Sequence, residues 1–118
     1  MEEWNITETQ NFVRDFKLYQ KKHPDELAAV LGNLDTYFET LKRLGHPFQI
    51  RAGFIHHEPE GIKALDQKGG KQKVKLKQTR LYVYPDVKSK QLYLLALGDK
   101  NSQKLDIQTS REILKSLK

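Results

Sequence analysis

Residues 71–97 read KQKVKLKQTRLYVYPDVKSKQLYLLAL, and the period of two in this stretch decides the fold class. In its first seven residues Val74 and Leu76 alternate with Lys73, Lys75 and Lys77. Successive side chains of a strand point to opposite faces, so a strand here carries the three lysines on one face and the apolar pair on the other. Residues 80–84, RLYVY, predict a second strand closed by Pro85 and Asp86, and residues 91–97, QLYLLAL, a third. The third is apolar on both faces, the pattern of a central strand. The short connections at 78–79 and 86–90 predict an antiparallel meander.

Before this stretch the period is helical. A short first strand at 4–7 leads to Thr9, a predicted N-cap, after which Phe12, Val13, Phe16 and Tyr19 share one helical face. Lys21, Lys22 and His23 close that helix with positive charge, which suits its C-terminal end. Pro24 opens a second helix, with Asp25 and Glu26 in the first turn and an apolar phase from Leu27 to Leu44 that Gly32 does not break. Gly45 is the natural stop. Residues 46–61, punctuated by Pro47, Gly53 and Pro59, predict an irregular connection with one short strand. Residues 61–65, GIKAL, predict a turn-like lead-in, and Gly69-Gly70 a corner. Past the meander, Thr109-Ser110-Arg111-Glu112 fits a capping box that opens a last helix with Ile113, Leu114 and Leu117. The reading is a single α+β domain, residues 1–118: an N-terminal helical hairpin packed on a small antiparallel sheet, with a C-terminal helix.

Composition narrows the function classes. The 118 residues contain no cysteine, which argues against a disulfide scaffold and for a reducing compartment. The N-terminus is acidic and polar, unlike a signal peptide, and the longest apolar run, 92–97, is far shorter than the roughly 20 residues of a membrane span. The expectation is a cytoplasmic protein with no membrane contact. The net charge of +6 is unevenly placed. Residues 1–59 hold seven Lys and Arg against nine Asp and Glu, and residues 60–118 hold fourteen against six. Positive charge gathered in one half points to a polyanionic partner.

The lysine row is the strongest chemical signal. Lys73, Lys75 and Lys77, about 7 Å apart in turn along a strand, match the scale of a nucleic-acid backbone, and Arg80 on the next strand adds to the patch. A protected edge strand is the structural alternative. Tyr82, Tyr84 and Tyr93 offer rings for base stacking, though strand packing alone favours tyrosine. His56 and His57 are adjacent, not at the spacing of a metal pair, and no metal or cofactor is implied. A general acid or base role for either histidine is open.

Residues 61–65, KVKLK at 73–77, RLYVY at 80–84, the apolar run 92–97 and GDKN at 98–101 resemble the RelE/ParE toxin superfamily. The family pattern is a leucine-ended turn, a K-[IV]-K-L strand, an arginine-led strand, an apolar strand, a G-K-[KR] corner and a final helix. The resemblance extends to the order of elements along nearly the whole chain. It implies a RelE-like toxin of a toxin–antitoxin pair that cleaves mRNA, in many members within the ribosomal A site. Such members drive a ribose 2′-hydroxyl onto the adjacent phosphate without a metal. Lys73 and Lys75 would then hold the scissile phosphate and move protons, Arg80 would stabilise the transition state, and Lys100 would stand near the leaving oxygen. Lys63, Lys71, Lys77 and Tyr82 would contact RNA, and a cognate antitoxin would be the protein partner. Two departures stand out. Lys100 occupies the position of an arginine, and Leu105-Asp106-Ile107 stands where the family's nucleases carry a tyrosine. These leave a ParE-like inhibitor of a protein target such as DNA gyrase, or a non-catalytic RNA- or protein-binding relative, as alternatives.

The charge placement predicts salt-dependent RNA binding. Neutralising about four phosphates gives a log–log slope of affinity against salt of about −3 to −4. Titration of labelled RNA at several salt concentrations checks this, and a flat response removes the counterion account.

Overall fold

The computed structural model describes residues 3–69 and 75–117. The elements, in chain order, are β1 (Asn5–Glu8), α1 (Gln10–Lys22), α2 (Pro24–Leu44), β2 (Ile55–His57), a single 3-10 turn (Pro59–Gly61), β3 (Lys63–Asp66), β4 (Thr79–Asp86), β5 (Gln91–Asp99) and α3 (Gln103–Leu117). Local chemistry sets both N-terminal helices. Thr9 is extended and its hydroxyl accepts from the Phe12 N–H at 3.3 Å, satisfying one of the orphan donors of α1. Pro24 sits in the first turn of α2, and Gly45, with φ 83°, ends it by donating its N–H to the Leu41 carbonyl at 2.8 Å.

The five strands form one mixed sheet in the order β1-β5-β4-β3-β2. The expected purely antiparallel sheet is thus corrected. β1 runs parallel to β5, with Asn5 opposite Gln91 and Glu8 opposite Leu94, while the other neighbours are antiparallel. The chain between β1 and β5 contains two helices and three strands, ample for the crossover that parallel pairing needs.

Helices cover both sides of the sheet. Phe12 and Tyr19 of α1 and Leu27, Val30, Leu34, Tyr37 and Leu41 of α2 pack with Leu65, Leu81, Val83, Leu92, Leu94 and Leu97. On the opposite face Leu114 of α3 packs with Ile62, Ala64, Tyr82, Leu95 and Ala96. β5 serves both layers, and a bulge sets which residues face each. Tyr82 pairs with Ala96 and Val83 with Leu94, which leaves Leu95 as the extra residue. The bulge shifts the alternation, so Leu92, Leu94 and Leu97 face α1 and α2 while Leu95 and Ala96 face α3.

Two further expectations are corrected. The strand beside β4 is β3, in the segment read as a turn, and not the lysine-rich 71–77. Residues 70–74 lie outside the described residues, and 75–78 carry no regular structure. The position next to β4 is covered on both faces, and Ala64, Leu65 and Asp66 are all buried there. A strand with lysine on every second residue does not fit such a site. The last helix starts at Gln103, so Thr109-Ser110-Arg111-Glu112 lies inside it and Ser110 is buried. Its start is set by Asp99, whose Oδ1 accepts from the N–H groups of Asn101 and Ser102, and by Ser102, whose carbonyl accepts from the Asp106 N–H.

Gly98 makes this junction tight. A Cβ there would overlap the Asp106 carboxylate and the Ser102 hydroxyl. Gly98→Ala is therefore expected to destabilise the fold by about 1–3 kcal/mol through overpacking. Gly32→Ala, in α2 with nothing within 4 Å of a new Cβ, is expected to gain up to about 1 kcal/mol. Urea unfolding of both variants tests the contrast, and equal midpoints would remove the steric account of Gly98.

Candidate functional site

The strand register gathers polar groups at one end of the face that carries α3. Ala64, Tyr82 and Ala96 lie on that face, paired in turn across β3, β4 and β5. Side chains alternate, so the residues two further along, Asp66, Arg80 and Gly98, share it, and these also pair in turn. His56 of β2 lies opposite Ala64 and joins the same face. Sequence positions 66, 80 and 98 thus form one row across three strands, and His56 stands diagonal to it on the neighbouring edge strand.

Asp66 is the fixed point of the row. Its side chain is 1% exposed. Its Oδ1 accepts from the Lys68 N–H at 2.7 Å, and its Oδ2 lies 2.7 Å from His56 Nε2. Its backbone is held too: the N–H donates to the Phe54 carbonyl, and Asn33 of α2 donates its side-chain amide to the Asp66 carbonyl at 2.7 Å. An ionised carboxylate only accepts, so His56 Nε2 carries a proton and, in the neutral ring, Nδ1 keeps its lone pair. Among the described residues Nδ1 has no hydrogen-bond partner, and the His56 side chain is 31% exposed. An imidazole on a partly exposed side chain, with one nitrogen fixed by a carboxylate and the other unpaired among the described residues, has the geometry of a general base.

Arg80 stands next in the row. Its Nη1 lies 3.7 Å from Glu58 Oε2, and the two side chains are 15% and 14% exposed. Its Nε is buried with no partner among the described residues, as is the Tyr82 hydroxyl. Burial raises the Tyr82 phenol well above its ordinary range, with the negative charge of Asp106 adding to the effect. An arginine with an unmet N–H beside a single weak ion pair retains donors for an anion.

The predicted site residues scatter relative to this row. Lys71 and Lys73 lie outside the described residues. Lys75 and Lys77 are exposed in the segment before β4, where the Lys77 N–H donates to Glu26 Oε2 at 3.0 Å, so the described part of the lysine ladder is not on a strand. Lys100 is exposed just past β5, at the row's end of the sheet, since Asp99 lies opposite Thr79. Lys63, at the other end of β3, places Nζ 2.9 Å from His57 Nδ1, and partial burial lowers its pKa. Tyr82 is 0% exposed and has no open ring face, which corrects its reading as a stacking residue. Asp66 and Glu58 are additions that no motif signalled. The ten-residue gap between His56 and Asp66 becomes a contact only through the β2–β3 register. Comparison of the chain with family models, curated proteins and solved structures gives no match.

Close by, burial raises the pKa of Asp106, against a lowering hydrogen bond from Ser102, and it does the same to Asp15, which accepts from the Leu97 N–H. A carboxyl whose folded pKa is raised stabilises the fold fully only below its unfolded value, and that contribution is lost as pH rises through the folded pKa. Asp106→Asn keeps an acceptor for Ser102 and removes the charge. It should raise the urea midpoint at pH 7 and leave it nearly unchanged below about pH 3.8, the unfolded value. A gain that is equal at both pH values would refute the desolvation account.

Proposed function

We propose that this protein is a RelE-like toxin, an endoribonuclease that cuts RNA by attack of a ribose 2′-hydroxyl on the adjacent phosphate. The observation that carries the reading is the His56–Asp66 pair set beside Arg80 on one sheet face. The two helices α1 and α2 against one face and the arginine near the start of β4 support a RelE/ParE-like arrangement. The partners in this reading are RNA, with mRNA in the ribosomal A site among its forms, and a cognate antitoxin. Its place of action is the cytoplasm.

The chemistry follows from the row. His56 Nδ1 takes the proton of the 2′-hydroxyl, and Asp66 stabilises the imidazolium that results. The 2′-oxygen forms a bond to phosphorus while the bond from phosphorus to the 5′-oxygen breaks, leaving a 2′,3′-cyclic phosphate. Arg80 keeps its contact with Glu58 and offers its remaining donors to the phosphate, whose charge grows in the transition state. The departing 5′-oxygen takes its proton from a cationic side chain, and Lys100 stands at the row's end of the sheet. Lys75 and Lys77 act on the backbone of bound RNA by charge. Catalysis thus moves from the lysine ladder to His56, Asp66 and Arg80. One observation favours the second reading, a ParE-like protein-binding inhibitor: the Arg80 charge is already met by Glu58.

Single-turnover cleavage of labelled RNA, with and without ribosomes, separates the two. His56→Ala should slow cleavage by about 10²–10⁴-fold and Arg80→Lys by about 10²-fold, with RNA affinity lowered far less. Circular dichroism melts confirm that both variants fold. A parent without cleavage under either condition, or a His56→Ala variant that cuts at the parent rate, refutes the proposal.

A further inference from the structure

A groove of about 1170 Å3 opens at the other end of the sheet, between the loop after α2, the β4–β5 turn and the end of α3. Its walls are largely apolar, with Ile50, Leu114 and Leu117 among them. The carboxylates that line it are already engaged. Glu60 is held by Arg111, and Asp86 by its own turn, through the Lys88 N–H and the Ser89 hydroxyl. Arg51 and Lys88 line the same groove with no ion pair among the described residues. The charge left open is positive.

Lys63 and His57 belong to this lining. They are direct cross-strand partners in β3 and β2, and Lys63 also pairs with buried Val83, on the face of α1 and α2. They therefore stand apart from the His56–Asp66 pair, which lies on the other face of the sheet. The register brings Lys63 Nζ to 2.9 Å from His57 Nδ1. An ammonium only donates, so Nδ1 accepts and the neutral His57 ring carries its proton on Nε2. No carboxylate pairs with Lys63 among the described residues, and its partial burial lowers its pKa. A lysine beside apolar walls, with a proton acceptor in contact and no counter-charge, is placed to act as a nucleophile.

We propose that Lys63 is a covalent carbonyl site, whose amine forms an imine with an aldehyde or ketone carrying an apolar body and an anionic group. The apolar body suits the walls, and the anionic group suits Arg51 and Lys88. In the reaction the Lys63 ammonium passes a proton to His57 Nδ1. The free amine then attacks the carbonyl carbon, so a C–N bond forms while the carbonyl oxygen takes a proton from the new ammonium. The imidazolium of His57 gives its proton to that oxygen, which leaves as water as the C=N bond forms. No oxidant or reductant enters. The site does not depend on RNA as the substrate, and it uses no residue of the cleavage chemistry proposed above.

Incubation with limiting 4-formylbenzoate and cyanoborohydride, which reduces an imine to a stable secondary amine, tests the site by peptide mass mapping. Lys63 should be the first lysine modified, ahead of the exposed Lys75 and Lys77. His57→Ala should slow its modification by about 10²-fold, and added imidazole should restore part of the rate. Relative to free Nα-acetyl-lysine, Lys63 should favour 4-formylbenzoate over benzaldehyde by about 2–10-fold, a preference that Arg51→Ala with Lys88→Ala removes. Circular dichroism melts confirm that the variants fold. Modification spread evenly over the lysines overturns the proposal, as does a His57→Ala variant that reacts at the parent rate. Equal reaction of the two aldehydes at Lys63 of the parent also overturns it. None of these outcomes turns on whether the protein cleaves RNA.

Discussion

The seam between the start of α1 and the bulge of β5 is the contact on which both layers of the molecule depend. A bulge leaves ladder groups unpaired, and buried backbone groups must find partners elsewhere. Here Thr9 supplies its N–H and its hydroxyl to the Leu94 carbonyl, and Asn11 donates to the Leu95 carbonyl at 2.9 Å. Asp15 then accepts from the Leu97 N–H at 3.0 Å. The N-cap and the first two turns of α1 therefore satisfy the irregular strand. In return the bulge puts Ala96 beside Leu95 toward α3 and brings Leu97 back toward α1 and α2, which sets what the strand gives to each core. Without it, strict alternation would place Leu92, Leu94 and Ala96 on one face and leave both layers incomplete.

The same economy of position shapes the site. Asp66 is bound through its side chain, its N–H and its carbonyl by three separate segments, so its carboxylate has little freedom. A group held that firmly can fix the tautomer of a neighbour. His56 inherits its orientation from Asp66 and contributes exposure of its own. Arg80 is less settled: among the described residues, one ion pair at 3.7 Å and a buried Nε with no partner leave its guanidinium under-satisfied. Buried groups with unmet donors are costly, and an anion arriving at this end of the sheet would relieve that cost.

How legible this was depended on the range of each signal. Thr9, Pro24 and Gly45 act within a few residues, so the helix ends could be read directly. The alternation at 80–84 and 91–97 located β4 and β5 because burial of both faces leaves an apolar run. The lysine-rich segment carried the strongest period of two, yet its described part is a connection, while 63–66 forms the strand. Local pattern ranks the candidates, but the place beside β4 goes to the segment whose both faces can be buried. The parallel β1–β5 pair and the His56–Asp66 contact were hidden for a different reason. Both are set by register between segments whose relation no local pattern records.

On the proposed reading, this rearrangement divides the labour of the basic half. A cation lowers a barrier only when its position is fixed before charge develops, since reorganisation during the reaction consumes the gain. Arg80, packed in the sheet between Asp66 and Gly98, meets that condition. Lys75 and Lys77, exposed on a connection, do not, but counterion displacement asks only for charge near the backbone and is indifferent to exact geometry. The fold therefore puts binding charge where the chain is open and the arginine where it is packed. The carboxylate that orients the base lies deepest of all, where three neighbouring segments hold it still.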